Sequence, residues 1–481
     1  MALAIQPRAA FKSRPHFLEN VMKKVFIVTD LGGGDGGKGG VVHKICCEMN
    51  AHTVVKVGGA QGSHGVRTSK GESFNFSHFG CGTLEGVRTH ISSKMVIDPI
   101  TLLYEGELLK YECGIRNVFE LLTIDENALC VTPFHRIASR LRELSRKENP
   151  KGTVGLGVGE AVKDSEIYPE LTICIRDIRK PDLLHKLEAL RVQKLEELKD
   201  VIEGTFWDSD RRSAIELINS LSDHSISESV AKNFRDLFSA CDIVPADYLE
   251  NQILSIEGVV VFESSHGILT DRYYGFHPHT TRLRTLPQIS LNLLKECDYK
   301  GDVVKLGVTR GYQIRHGAGP MVTENQIMTD KLLPGSSKDE NRWQGKVRVG
   351  PLDLVALRYA INVCGGPEFF DGLAITWFDQ IEALREWIVC DKYTETGNLR
   401  FFTENREIRV RKEDEPNPLD YQERLGKILR GCRPYLTSYP VPTGTNQEDM
   451  TELCNRVLQE KLKIQVKMIS FGPTEEDKVC L

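Results

Sequence analysis

The run Asp30-Leu31-Gly32-Gly33-Gly34-Asp35-Gly36-Gly37-Lys38-Gly39-Gly40 concentrates residue types suited to phosphate chemistry. Its spacing Gly32-x-x-x-x-Gly37-Lys38 matches the front of a phosphate-binding loop, where glycines let backbone amides approach phosphate oxygens and a lysine offsets their charge. The hydroxyl residue that holds Mg²⁺ in such loops is replaced by Gly39, so a metal needs another hard oxygen, and Asp35 is the candidate. Taken alone, the run also fits a flexible glycine turn with a solvated aspartate. A second glycine loop, Gly58-Gly59-Ala60-Gln61-Gly62-Ser63-His64-Gly65, carries one imidazole, and an isolated loop histidine is equally at home on a surface or at a helix cap. His277-Pro278-His279 lacks a third ligand at metal-binding spacing, which favours a structural role.

These loops need rigid elements behind them. Val25-Phe26-Ile27-Val28 reads as a buried strand that enters the first loop, and Val41-Val42-His43-Lys44-Ile45 leaves it as a helix. Strand, glycine loop and helix together aim backbone N–H groups and a helix N-terminus at phosphate. Thr53-Val54-Val55-Lys56-Val57 and Val259-Val260-Val261-Phe262 are further strands ending in polar loops, the second in Glu263-Ser264-Ser265-His266-Gly267. Such strands indicate a mostly parallel sheet with ligands at its carboxyl edge. Leu183, Leu184, Leu187, Leu190, Leu195 and Leu198, set among Lys and Glu, predict an amphipathic helix or helix pair. The polar stretch Leu332–Arg342 is expected to be a mobile loop.

The 481 residues, 40% apolar and 27% charged, suit a globular chain with a substantial core. A net charge of -5 argues against a nucleic-acid or membrane-surface partner, and no apolar run approaches the ~20 residues of a membrane span. The 13 scattered cysteines, without a C-x-x-C pair, point to reduced thiols in the cytoplasm. Arg8, Lys12 and Arg14 make the first 22 residues faintly like a transit segment, but a flexible tail over 1–22 is the better reading.

Gly34-Asp35-Gly36-Gly37-Lys38-Gly39 resembles the Trp-Gly-Asp-Glu-Gly-Lys-Gly loop that opens adenylosuccinate synthetases. Gly58–His64 is similar to that family's Gly-Gly-His-Asn-Ala-Gly-His, and Phe262–Asp271 to its Phe-Glu-Gly-Ala-Gln-Gly-Thr-Leu-Leu-Asp. Arg315–Glu324 is similar to its Arg-Val-Gly-Ala-Gly-Pro-Phe-Pro-Thr-Glu, Gly350–Asp353 to its Gly-Trp-Leu-Asp, and Gly472-Pro473 to a Gly-Pro beside the guanine. The matches keep family order over about residues 23 to 478. The resemblance implies an α/β fold: a large, mostly parallel, twisted β-sheet flanked by helices, P-loop NTPase-like, with helical insertions. One catalytic domain is expected over 23–481, with a helical insertion at about 181–250.

The resemblance also implies a chemistry. The family uses GTP to phosphorylate the 6-oxygen of inosine monophosphate (IMP) and then displaces that phosphate with the amino group of L-aspartate. It implies Asp35 as base and metal ligand, His64 as acid toward the phosphate, and the Ser63 carbonyl as a second Mg²⁺ ligand. Gly34, Gly36, Gly37, Lys38 and Gly39 would hold the triphosphate of GTP, with Asp379, Gly472 and Pro473 around its base. Trp377, where the family has lysine, either stacks on that base or packs in the core. Gln61, Thr153, His266 and Thr281 fall on monophosphate contacts, and Arg315, Lys346 and Arg348 on the amino-acid site. Glu263 and Asp271 are expected to be structural. A homodimer is implied, although the family's partner-supplied arginine has no counterpart within Lys163–Leu171.

The departures cluster on the acceptor and amino-acid sites. Gln61 stands for asparagine, His266 for glutamine, and Lys346 for an arginine whose bidentate grip a lysine lacks. Three readings follow: a ligase acting on IMP and aspartate; a paralogue with the same phosphoryl activation but another acceptor, such as a guanine nucleotide or non-nucleotide oxo compound, or another amine; and a nucleotide-binding regulator that has lost turnover.

Overall fold

The computed structural model describes residues 23–333 and 342–481. The tail expected over 1–22 and most of the loop expected at Leu332–Arg342 lie outside the described residues.

Strand β1 (Lys23–Asp30) shows how period-two burial builds two faces from one apolar run. Phe26 and Val28 join a core with Val41, Val42 and Ile45 of helix α1 (Lys38–Met49). Val25 and Ile27 enter a separate core with Val55, Val57, Val260, Phe262 and Leu293. A strand buried on both sides sits inside a layered α/β domain, and β1 lies near the middle of an 11-stranded sheet.

The other strands are β2 (Thr53–Gly59), β3 (Arg88–Ile97), β4 (Leu122–Asp125), β5 (Leu129–Cys130), β6 (Asp242–Val244), β7 (Gly258–Gly267), β8 (Asp302–Arg310), β9 (Gly372–Thr376), β10 (Val466–Ser470) and β11 (Lys478–Cys480). Their order is β11-β10-β9-β8-β1-β7-β2-β3-β4-β6, with β5 paired to β3. Every pairing is parallel except β10 with β11. The mostly parallel, helix-flanked sheet expected from the sequence is therefore present. Residues 181–250 contain the helices Leu183–Glu197, Asp208–Ser222 and Ser225–Phe238 and then the edge strand β6. A third core, around Trp387 and the helix Leu354–Val363, supports the β9 end of the sheet; the Trp387 indole donates to the Gly311 carbonyl at 2.7 Å.

Five adjacent strands, β9, β8, β1, β7 and β2, end at one edge, and their carboxyl ends carry Trp377, Arg310, the Asp35 loop, His266 and the His64 loop. The register shifts between Val28 and Asp30 and between Lys56 and Gly58, where the strands turn into these loops. Such irregularities re-aim the chain at a sheet's rim.

Because Phe26 is wholly buried in the central strand, Phe26→Ala should cost ~3–5 kcal/mol of stability. The denaturation midpoint should drop accordingly, while Tyr111→Ala, at an 87% exposed position, should leave it in place. Equal midpoints for the two variants would show that β1 does not anchor the core.

Candidate active site

The loop between β1 and α1 is organised by an internal carboxylate. Asp30 accepts from the Gly32 and Gly36 amides, both at 2.8 Å, and from the Lys38 ammonium at 2.9 Å. Lys38 also donates to the His266 carbonyl at 2.8 Å and is 3% exposed. Its charge is therefore shared with Asp30, and part of the loop's amide lining already faces an oxygen anion. Glycine is required at two points here. A Cβ at Gly36 would lie 2.6 Å from Asp30 Oδ2, and Gly37 combines a φ of 86° with a would-be Cβ 2.8 Å from Thr376 Oγ1. The Thr376 hydroxyl donates to the Gly36 carbonyl at 2.6 Å and pins the loop to the end of β9.

His64 opens the short strand His64–Arg67, and its ring is held from behind by Glu263. Nδ1 donates to Glu263 Oε1 at 2.5 Å; the same carboxylate receives Lys56 Nζ at 2.7 Å and the Cys81 amide at 2.9 Å. Glu263 is fully buried, so desolvation penalises its charge, but Lys56 and His64 outweigh that and hold the carboxyl far below the ordinary range. Burial depresses the His64 imidazole despite the pull of Glu263. The Nδ1–H on Glu263 leaves Nε2 as the remaining ring nitrogen, and His64 lines the cavity.

Asp35, with a φ of 57°, faces His316: imidazole Nε2 and Asp35 Oδ2 are 2.7 Å apart, and the carboxylate is 35% exposed. Arg310 donates to the Asp35 carbonyl at 2.5 Å, to the Tyr312 hydroxyl at 2.8 Å, and lies 4.4 Å from the Trp377 ring centre. Trp377 is 40% exposed, which excludes the core-packing alternative and leaves a cation-backed aromatic wall. His266, also at positive φ, is held down to about 4 by burial, with the Lys38 charge adding to the effect. Arg315 is buried and pulled down to about 9 by burial and by the nearby Arg348 and Arg430. It donates to the His279 carbonyl at 3.1 Å, and among the described residues no carboxylate pairs with it.

These groups surround one cavity of about 920 Å³, a size usual for small-molecule sites. The expected residues Gly34, Asp35, Gly37, Lys38, Gly39, Gln61, Ser63, His64, Thr153, His266, Thr281, Arg315, Trp377, Asp379, Gly472 and Pro473 all line it. Gly36 sits in the same loop with its amide turned to Asp30. Lys346 is exposed and off the lining. Arg348 is also off it, with its guanidinium taken by Glu324 and by the carbonyls of Gly317 and Gly319. His277 and His279 bond to Thr280 and to the Lys151 carbonyl, not to each other. Asp271 accepts from the amides of Tyr273, Tyr274 and Thr285.

The profile of the adenylosuccinate synthetase family matches residues 27–479. The chain belongs to the adenylosuccinate synthetase family. Related adenylosuccinate synthetases include that of Syntrophotalea carbinolica, 29% identical with 93% of this chain and 96% of the relative aligned, and that of Halothermothrix orenii, 26% identical over the same shares. Fully ligated adenylosuccinate synthetase from Plasmodium falciparum superposes with a TM-score of 0.70 at 16% identity, covering 95% of this chain and 99% of that one. Succinoaminodeoxyadenylate synthetase of cyanophage S-2L, solved with dGMP and with dATP as an energy donor, has a TM-score of 0.56 at 15% identity and 96% coverage of both chains. The family is one of GTP-dependent ligases whose reaction joins IMP and aspartate.

Four residues of the site were missed from sequence: Asp30, Glu263 as the support of His64, Arg310 and His316. A signal existed for Glu263. It is a lone acid at the end of an apolar strand, and Lys56 is a lone cation in another; the two stand opposite each other in neighbouring β7 and β2. A buried charge demands such a partner. Nothing local marks His316, whose partner is far away in the chain.

The buried imidazoles give the protein a defined acid sensitivity. His64 is lowered, and His266 and His279 lie at about 4, below the ~6.5 of an exposed imidazole. The unfolded chain therefore takes up more protons than the folded one as pH falls, and the lowered Glu263 carboxyl acts in the same direction. Thermal midpoints should decline steadily as pH falls below about 6.5, with Asp353, raised to about 6 by burial, offsetting part of the loss. A midpoint unchanged down to about pH 4.5 would contradict neutral buried rings.

Proposed function

We propose that this chain catalyses the family's two-step ligation: GTP phosphorylates the 6-oxo group of a purine monophosphate, IMP by default, and the amino group of L-aspartate displaces that phosphate to give adenylosuccinate, GDP and phosphate. The observation that carries it is the convergence of Asp35, the Glu263-supported His64 and the glycine loop on one cavity. Asp35 is a partly exposed carboxylate at the loop's tip, suited to take the N1 proton and make the 6-oxygen nucleophilic. Glu263 holds the Nδ1 side of His64, so Nε2 is the nitrogen that meets phosphate oxygens, where their negative charge favours protonation. Asp379 accepts only, which suits the N1–H and 2-amino group of guanine, and Trp377 offers its face beside it. Arg315, a buried cation with no carboxylate partner among the described residues, suits an acid group of the amino acid.

The donor set fits Mg²⁺. Asp35 presents a carboxylate with one oxygen turned to His316, and Ser63 is exposed on the same cavity, so both offer hard oxygens to a metal held with the phosphates. When bound, Mg²⁺ would offset the charge that gathers on the transferring phosphate. The proposal includes a homodimer, by resemblance to the family, and a cytoplasmic setting, supported by free thiols at all 13 cysteines. Among the described residues no helix is long and apolar enough to cross a membrane.

A second reading keeps the phosphoryl chemistry and changes the acceptor. It is favoured by His316 on Asp35, where the family sequence has valine, and by the absence of Lys346 and Arg348 from the cavity lining. The cyanophage neighbour, which shares this fold, is itself bound to dGMP, which supports a guanine nucleotide as acceptor.

Phosphate release from GTP, with Mg²⁺ and aspartate, should occur with IMP and cease on adding EDTA. Turnover with GMP or dGMP and none with IMP would select the second reading, and silence with every acceptor despite GTP binding would refute both. Asp35→Asn should abolish turnover and keep GTP affinity within about threefold, and His64→Asn should lower kcat by ~10²–10⁴-fold. Retained activity in Asp35→Asn would remove the base from its assigned role.

A further inference from the structure

Helix α1 carries a second group of ligating side chains, away from the cavity lining. His43 and Cys47 lie one turn apart and share a helix face. The His43 ring is buried, and its Nδ1 lies 3.2 Å from the Cys81 carbonyl. A carbonyl only accepts, so Nδ1 carries the proton and Nε2 presents its lone pair. Nε2 lies 3.6 Å from Cys47 Sγ and 3.5 Å from Glu475 Oε2. One ligating atom each of His43, Cys47 and Glu85 falls within a 4.8 Å span.

The 3.5 and 3.6 Å spacings about His43 Nε2 are those of neighbouring ligands on one ion, and Glu85 falls within the wider 4.8 Å span. Nitrogen at ~2.1 Å, sulfur at ~2.3 Å and oxygen at ~2.0–2.2 Å on a tetrahedral ion stand roughly 3.3–3.7 Å from one another. A histidine whose far nitrogen is fixed by a backbone carbonyl is also the usual support of a metal-bound imidazole. Mixed nitrogen, sulfur and oxygen donors select a borderline-soft ion over Mg²⁺.

We propose that His43, Cys47 and Glu85 form a structural zinc site, distinct from the Mg²⁺ position at Asp35, which Glu475 completes by a small side-chain movement from its place 3.5 Å from His43 Nε2. On binding, the Cys47 thiol releases its proton to solvent and sulfur bonds the ion as thiolate. Ser69 and Lys70 hold Glu475 and Glu85 from outside, through the Ser69 amide at 3.1 Å and the Lys70 ammonium at 2.9 Å. The four ligands come from α1, the turn Thr83–Glu85 and the loop between β10 and β11. That loop also contains Gly472 and Pro473 on the cavity wall, so the ion would clamp the wall to the helix that begins at the glycine loop.

The test uses the full chain after chelator treatment, titrated with Zn²⁺ alone and with Co²⁺ alone as an optical probe. One equivalent of zinc should bind and raise the thermal midpoint. Co²⁺ should produce a thiolate-to-metal charge-transfer band that Cys47→Ser removes. Glu475→Gln, at the accessible margin of the site, should weaken zinc at least ~10-fold while leaving the unfolding transition of the metal-free chain in place. Failure to take up zinc stoichiometrically overturns the assignment. So does a cobalt band that survives Cys47→Ser, which would place the ion at Cys81 beside His64 and Glu263.

Discussion

A carboxylate removed entirely from water at residue 263 is tolerable only with fixed partners, and that requirement orders the His64 side of the cavity. Lys56 from the neighbouring strand, the His64 ring and the Cys81 amide converge on it. Losing one partner of such a buried group typically costs ~3–5 kcal/mol, because a charge is left stranded. The register of β2 against β7 is thus locked by an ionic pair as well as by apolar packing. A one-residue slip would swing Lys56 to the opposite face and free the imidazole. Position and orientation of His64 are consequences of sheet register, not of its own loop.

The glycine loop obeys the same economy of charge. Asp30, Lys38 and two amides neutralise one another within the protein, so the loop is held in shape by bonds that do not depend on a ligand. Preorganised donors of this sort contribute to catalysis because they need not reorient as charge develops.

Legibility from sequence tracked how local each signal is. Apolar runs such as Val25–Val28, glycine-rich loops and Asp35, Lys38 and His64 depend on neighbours a few residues away, and the expected strand-loop-helix order is the one found. Contacts between distant segments were opaque: His316 reaches Asp35 across 281 positions of chain (316 − 35), and Arg310 reaches the Asp35 carbonyl across 275. Charge matching in Lys56 and Glu263 was available in the sequence, since each is a lone ion in an apolar strand, but only parallel neighbours reveal the match. Arg348 shows the opposite case, a cation assigned by resemblance to ligand binding whose donors the fold uses on its own carbonyls.

Trp377 stands at positive φ with Arg310 on one face, and its outward side forms part of the cavity wall. A platform of that kind discriminates by planarity and electron distribution alone, since an indole face has no hydrogen-bonding pattern to match. Any flat heterocycle settles there with similar strength, so the choice among purines must be made at the edge of the ring by neighbouring oxygen and nitrogen atoms. On the reading proposed above, base preference is retuned by changing a single acceptor such as Asp379 without rebuilding the surface beneath it.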